Sequence, residues 1–396
     1  MKNFVFISPD FPKTYYQFTK ALKEAGFRVL GIAQAPYDSL PYELRDSLYE
    51  YYRVNNLETY DEVFKAVAFF SFKYGHIDYL ESNNEYWLRQ DAMLRKDFNI
   101  TTGKRGSEIN AFQNKELEKK YYKIANVKVA RYIIPTNYRK TKEFIDEVGY
   151  PVIVKPVIGV GASQTYRINN ESELDNFFNN KPSVKYIMEE YIDGELISFD
   201  GVSNSKCEVV FYSNEVFPDP VMDVVNERKD FIYYSNKECP QDLKEAGERV
   251  IKAFKAKNRY FHLEFFRLKH DKKGLGKKGD LLGLEVNMRP PGGYTPDLIN
   301  YSKSVNSYKI WAEVMMYDTT YENLNNEKYY SVYVGRRFNN TYKHTGGEIL
   351  EKYKNNITLH EHMPYVLTSA MGDDAYFAKF KNFEEVNEFI EFVEKG

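Results

Sequence analysis

The chain has 396 residues, 43% hydrophobic and 28% charged, a globular composition long enough for two or three domains with a sizeable core. Lys and Arg number 55 against 57 Asp and Glu, a net charge of −2, so no whole-molecule field draws in nucleic acid or an anionic membrane. Cys207 and Cys239 form neither a metal spacing nor a disulfide framework, the start MKNFVFISPDF is too short an apolar run for a signal peptide, and no stretch reaches the length of a spanning helix, so a reducing cytoplasm is the expected home.

FVFIS (Phe4–Ser8) is expected as a short buried strand, TYYQFTKALKEAGF as an amphipathic helix with Gly26 near its end, and RVLGIA as the next strand. A further helix, LETYDEVFKAVAFFSFKYG, and a strand, IDYLES, complete a βαβ rhythm that predicts an open parallel sheet. Its first turn, SPDFPKT, has no glycine, so the dinucleotide fingerprint is missing and hydride transfer is disfavoured. The character changes near Ile109. NAFQNKELEKKYYKIA reads as a charged helix and VKVARYIIP as one extended segment. There follow a helix over Lys140–Val148, the strand PVIVKP, the loop IGVGASQ, the strand TYRI and a helix near Glu171–Asn179. KYIMEEYIDGELISFDGVS reads as strand, connector, strand, and strands and helices continue to about Tyr317. KYYSVYVGRRF opens a last section that ends in the helix NFEEVNEFIEFVEKG. With no fixed-period repeat and no low-complexity linker, the pieces are expected to pack as one body.

Several of these segments carry chemistry. Lys155 closes the apolar strand PVIVKP, where it either reaches water or enters a cleft to hold phosphate oxygens. Gly159–Gln164 is a loop of small residues whose backbone N–H groups can approach phosphates, but it lies between two strands and is not a P-loop. GLGKKGD (Gly274–Asp280) lacks the Ser or Thr of such a loop and is expected as an exposed basic hairpin. In IMEEYIDGEL the backbone of the connector can meet a purine edge and Glu195 can accept from both ribose hydroxyls, although a solvated acidic turn has the same sequence signature. In LLGLEVNMRPPGG, Glu285, Asn287 and Arg289 alternate after an apolar lead-in and so share one strand face. Together with Glu264 of YFHLEFFR this face offers two carboxylates and an amide oxygen, a hard-oxygen set suited to Mg²⁺ shared with phosphates; the competing reading is a structural Glu285–Arg289 ion pair. His262 shares a face with Glu264 and either lines the site or, as expected, is a core or structural histidine; His360 and His362, alternate residues on a strand, either bind metal or, as expected, are surface histidines.

In this order, Asn114-Lys115, YPVIVKP, the small-residue loop, MEEYIDGE, HLEFF and LEVNMRPPGG resemble the ATP-grasp superfamily over about four-fifths of the chain, and within it the carboxylate–amine ligases of the L-amino acid ligase kind. The resemblance implies an α/β chain, α+β in its ATP-binding part, with an ATP-grasp fold. Residues 1–108 would be an N-terminal Rossmann-like domain and 109–317 the ATP-binding domain, with a small lid over about 125–190. Residues 318–396 would be a C-terminal section packed on that core. It further implies that Lys115 and Lys155 neutralise the α- and β-phosphates of ATP. The loop with Gly161, Ala162, Ser163 and Gln164 would close over the β- and γ-phosphates. Glu189 or Glu190, with the backbone of Tyr191 and Ile192, would meet adenine, and Glu195 the ribose. Glu264, Glu285 and Asn287 would hold one or two Mg²⁺ ions, with Mn²⁺ as an alternative. Arg289 would contact the carboxylate substrate and its acyl phosphate, beside the backbone of Gly292 and Gly293. The basic insertion KHDKKGLGKKGD, between Glu264 and Glu285, is longer than in many relatives and is expected to leave the site intact. The implied activity is ADP-forming ligation of an amino acid or related acid to an amine by a cytoplasmic enzyme that is a homodimer by prior, with small-molecule partners and neither nucleic acid nor membrane. A bicarbonate-activating carboxylase or carbamoyl-phosphate-type enzyme and a non-catalytic ATP-binding sensor or scaffold are the competing readings.

Overall fold

The computed structural model describes residues 1–394 except 160–163, 182, 220–223 and 225–227, and its strands form three sheets. The first contains β1 (Asn3–Ile7), β2 (Arg28–Ala33), β3 (Glu50–Arg53) and β4 (Tyr79–Glu81), all parallel, in the order β3-β2-β1-β4. β1 is buried along its whole length because a parallel sheet is covered on both faces. Val5 and Ile7 face helix Tyr60–Tyr74, which presents Val63, Ala66, Val67 and Phe70 at helical spacing. Phe4 and Phe6 face helix Tyr16–Glu24 and, beyond it, helix Ser307–Tyr317. Phe18 lies 4.7 Å from Tyr308 and 5.2 Å from Trp311, ring centre to ring centre, so this aromatic cluster joins the first sheet to the rest of the molecule.

Helix Lys115–Ile124 leads into β5 (Lys128–Val129) and β6 (Tyr132–Ile133), and then come β7 (Val152–Pro156), β8 (Tyr166–Ile168) and β9 (Tyr186–Glu190). β6 to β9 make a small antiparallel sheet, order β6-β9-β7-β8, packed by helices Tyr138–Val148 and Glu171–Asn180 around Ile145, Val152, Leu174 and Met188. This small unit, called the lid here, spans the residues for which that role is expected. VKVARYIIP is therefore two short strands in two different sheets, because the chain crosses there from body to lid. It recrosses at Tyr191–Asp193, after β9. Arg131, at the first crossing, ties it to the second: its Nε and Nη2 donate to the Glu190 carboxylate at 3.1 and 2.7 Å.

The remaining strands are β10 (Gly194–Ser203), β11 (Val209–Ser213), β12 (Glu215–Phe217), β13 (Phe231–Ser235), β14 (Arg259–Leu268), β15 (Leu281–Asn287), β16 (Tyr330–Arg336), β17 (Ile357–His362) and β18 (Asp374–Phe380). With β5 they form a ten-stranded sheet in the order β17-β18-β16-β13-β12-β10-β14-β15-β5, with β11 paired to β10. In the last section β16, β17 and β18 extend the core's own sheet beyond β13. One face of its centre carries Phe199, Leu263, Phe265 and Val286, buried against helices Lys115–Ile124 and Gln241–Phe254 through Tyr122 and Phe254. The other face opens toward the first sheet and the lid.

Candidate active site

Strand alternation builds the site. Phe199, Leu263 and Val286 point to the helices, so their neighbours Ser198 and Asp200, His262 and Glu264, and Glu285 and Asn287 point the other way. The register aligns these across three strands, Ser198 with Glu264 and Glu285, and Asp200 with His262 and Asn287. The polar face expected from β15 is therefore three strands wide.

Helix Lys115–Ile124 begins at its edge, capped by Asn114, whose side chain accepts from Leu117 N at 3.1 Å. A spacing of four residues sets Lys115 and Lys119 on one side of that helix. Lys115 Nζ lies 2.9 Å from Glu285 Oε1 and donates to the Gly159 carbonyl at 3.3 Å. Lys119 Nζ is 2.5 Å from Glu189 Oε1, and Lys155 Nζ, at the end of β7, is 2.8 Å from Glu189 Oε2. Three buried lysines, two from the body and one from the lid, thus meet around two carboxylates.

The electrostatics follow from that packing. Burial works against the charge of Glu189, yet Lys119 and Lys155 overcome it and push the carboxyl down to about 2. Burial likewise opposes ionisation of Glu285, and Lys115 and Lys155 hold its pKa below the usual carboxylate value. Lys115 and Lys155 are both raised: burial is the largest single influence and pulls them down, but the surrounding carboxylates together outweigh it, Glu285 with Glu118 and Glu85 for the first and Glu189 with Glu285 for the second. Glu118, in the same helix, is pushed up to about 8 by burial and by Glu285, against the pull of the three lysines. His262 sits between Asp200 at 2.6 Å and Glu264 at 3.1 Å, and these carboxylates outweigh its burial and raise the imidazole to about 10. Behind it Ser198 bridges Asp200 and Glu215, and burial together with the neighbouring Asp200 pushes the Glu215 carboxyl well above the usual carboxylate range.

At the far end of β15, Arg289 donates to the Pro290 carbonyl at 2.7 Å and to Asn287 Oδ1 at 3.2 Å, and its Nε lies 3.8 Å from Glu85 Oε2. Glu85 belongs to a short turn of the first domain and is pushed up to about 7 by burial, with Glu285 adding to the shift and Arg289 and Lys115 opposing it. The backbone at Gly293 is left-handed, and a Cβ there would lie 2.4 Å from the Met371 sulfur, so a side chain would be strained and would have to displace the end of Met371. The Gly292 carbonyl accepts from Thr295 Oγ1 at 2.8 Å.

Of the residues singled out from the sequence, Lys115, Lys155, Glu189, Glu264, Glu285, Asn287 and Arg289 come together in this cleft. The Glu189 carboxylate, expected at adenine, is instead engaged by two buried lysines, and Glu190, the alternative, by Arg131. Ile192 turns its side chain into a core with Leu268, Leu275 and Leu282, and the Tyr191 carbonyl accepts from Lys272 of the insertion. The insertion therefore packs on the crossing segment. Glu195 lies at the start of β10 opposite Arg267. Gln164 is exposed, while Gly161, Ala162 and Ser163 lie outside the described residues. Sequence reasoning missed Lys119, Glu118, Asp200 and Glu85. Lys119 is legible as the fourth residue after Lys115, and Ser198 and Asp200 as polar alternates in an apolar strand. Glu85 has no such signal.

The donor set fits a nucleotide held with a hard cation. Glu264, Glu285 and Asn287 offer oxygen only, and among the described residues no three His, Cys, Asp and Glu side chains are arranged to hold a metal by themselves. That suits Mg²⁺, which keeps few protein ligands and completes its shell with phosphates and water. Glu85 Oε2 and Glu118 Oε2 are buried without a hydrogen-bond partner, so polar oxygen remains for a donating guest.

Comparison with known proteins agrees with this architecture. Residues 117–261 match the ATP-grasp domain family. The chain is 23% identical over 265 residues, 64% of its length, to the L-arginine-specific L-amino acid ligase of Bacillus subtilis, and 28% identical over 125 residues, 31% of its length, to D-alanine–D-alanine ligase B of Clostridium perfringens. These matches span 62% and 38% of the two relatives. The crystal structure of the L-amino acid ligase of Bacillus licheniformis has the same fold, with a TM-score of 0.70, 14% identity and coverage of 100% of this chain and 98% of that one.

Proposed function

We propose that this chain, which carries an ATP-grasp domain, is an ADP-forming ligase that activates an amino acid or related acid as an acyl phosphate and joins it to an amine. The observation that carries the reading is the convergence in one cleft of three buried lysines, an oxygen-donor strand face, and the Arg289–Glu85 pair at its end. A carboxylate resists an amine because its leaving group would be oxide. Transfer of the γ-phosphoryl group supplies phosphate as the leaving group, but carboxylate and triphosphate repel each other, so the site must offset negative charge. Lys115 and Lys155 do this by exchanging Glu285 and Glu189 for phosphate oxygens. Mg²⁺, when bound, would add Lewis-acid charge on the phosphates at Glu264, Glu285 and Asn287. Arg289 binds the substrate carboxylate and then the developing oxyanion, and Glu85 receives an ammonium group. A zwitterionic amino acid has both charges, and the match to an L-amino acid ligase points to the same substrate class.

The test is ADP and phosphate release from Mg-ATP by the purified protein, screened with pooled amino acids, hydroxy acids and polyamines. Release that needs a particular acid with an amine, and falls at least a hundredfold in Glu285→Gln, is the expected result. Release stimulated by bicarbonate alone, or ATP binding with no pool raising turnover above the variant, would overturn the ligase reading.

A further inference from the structure

A second concave site lies on the opposite side of the β14 strand end from the polar face. A cavity of about 240 Å³ is lined by Lys104, Arg105, Lys255, Lys257 and Arg259, with the ring of Phe112 among them. Glu108 is the single carboxylate in its wall, and it already accepts from the Arg105 backbone N–H at 2.9 Å. Among the described residues Lys104, Arg105, Lys255 and Lys257 make no ion pair with any carboxylate. Arg259 is fully buried and fixed, with Nη2 2.9 Å from Glu81 and Nε donating to the Met288 carbonyl at 2.9 Å. Lys104 Nζ stands 5.4 Å from the centre of the Phe112 ring. Burial lowers its pKa, Glu108 resists, and Lys255 and Arg259 add to the lowering. In a chain of net charge −2, five cations gathered around one small cavity are a local reversal of sign.

We propose that this cavity is a second anion site, separate from the ATP cleft, that takes a small phosphomonoester. The geometry favours that class. A phosphate dianion accepts from several separate cations at once, whereas a single carboxylate would leave most of them unpaired. The volume leaves room for a body of about sugar size beside the phosphate, and Phe112 gives that body an apolar wall. None of the lining residues belongs to the ATP cleft. Along β14, Arg259 and Glu264 are five residues apart, about 17 Å at ~3.3 Å per residue. The cavity nevertheless touches two levers on the cleft. Phe112 lies three residues before Lys115, and Arg259 holds the carbonyl of Met288, the neighbour of Arg289.

The site is tested by calorimetric titration with inorganic phosphate and with glycerol phosphate, in protein saturated with Mg-ADP and in protein without it. Succinate, and chloride at matched ionic strength, serve as comparison anions. The expected result is one glycerol phosphate per chain, bound equally with and without Mg-ADP and not reproduced by succinate or chloride. Lys104→Glu/Lys257→Glu is expected to weaken that binding at least tenfold while Mg-ADP affinity stays unchanged. Should the double reversal disturb folding, Lys257→Gln alone, a change at an exposed side chain, is expected to weaken it about threefold. Loss of the phosphate ester on adding Mg-ADP would place it in the nucleotide cleft and overturn the proposal. So would equal binding of chloride, or parental affinity in the folded variants. The outcome does not depend on whether the protein is a ligase.

Discussion

Glu85 stands where two demands conflict. Burial favours its neutral acid and Arg289 its carboxylate, and the balance falls at about 7. An ammonium group beside it needs the carboxylate, so binding an amine-bearing substrate expels a proton whenever the free site is protonated. Affinity should therefore fall roughly tenfold for each pH unit below about 7 and stay level just above it. Substrate affinity measured from pH 5.5 to 8 checks this, with Glu85→Gln expected to bind weakly and without that slope. A wild-type profile as flat as the variant's would mean that the ammonium group lies elsewhere. Residues differ sharply in how readable they were. Glu285, Asn287 and Arg289 declare themselves because alternation within one strand places them on one face whatever the rest of the fold does. Glu85 and Arg289, by contrast, meet only because two domains close on each other, and no local pattern encodes that. The same holds for Lys104 and Lys257, which come from distant parts of the chain to share one cavity.

The helix that begins at Lys115 depends on a strand that begins at Leu281. Tyr122 donates to the Glu285 carbonyl at 3.1 Å, and its ring lies flush against Gly283, where a Cβ would come within 2.3 Å of a ring carbon. Gly283→Ala must therefore push the helix away from β15 or tilt the ring, at a cost of about 1–3 kcal/mol. Because Lys115 and Lys119 ride on that helix, turnover should drop more than ten-fold while the melting temperature falls by a few degrees. Unchanged turnover at a lowered melting temperature would show that the lysines re-seat independently of the helix. The long helices and the apolar strands were legible from period and composition. VKVARYIIP was not, since a crossing between two sheets is as extended as a strand and each of its strands, β5 and β6, is only two residues long.

Across the whole molecule, the first domain is pinned to the core by a buried charge cluster. Glu81, at the end of β4, lies 2.6 Å from Arg95 and 2.9 Å from Arg259, and all three side chains are almost fully buried. Glu81→Gln would leave the Arg259 guanidinium buried without a counter-charge and Arg95 with only Asp91 at 4.0 Å, and the loss of such a partner costs about 3–5 kcal/mol. The midpoint of urea unfolding should move down accordingly, and a shift within error of zero would mean that water reaches the cluster. The parallel sheet of this domain was readable from its βαβ rhythm, but which strand the last section pairs with was not, because strand partners so far apart in sequence leave no local trace. That pairing has a consequence for synthesis. β13 ends at Ser235, yet its neighbour β16 does not begin until Tyr330, and β18, which lies beyond it, starts at Asp374. While the ribosome is still adding the intervening residues, the emerging chain carries an open hydrogen-bonding edge on β13 that only β16 closes. The core therefore cannot mature ahead of these later strands, and a chaperone that shields bare strand edges would find its substrate in this nascent chain.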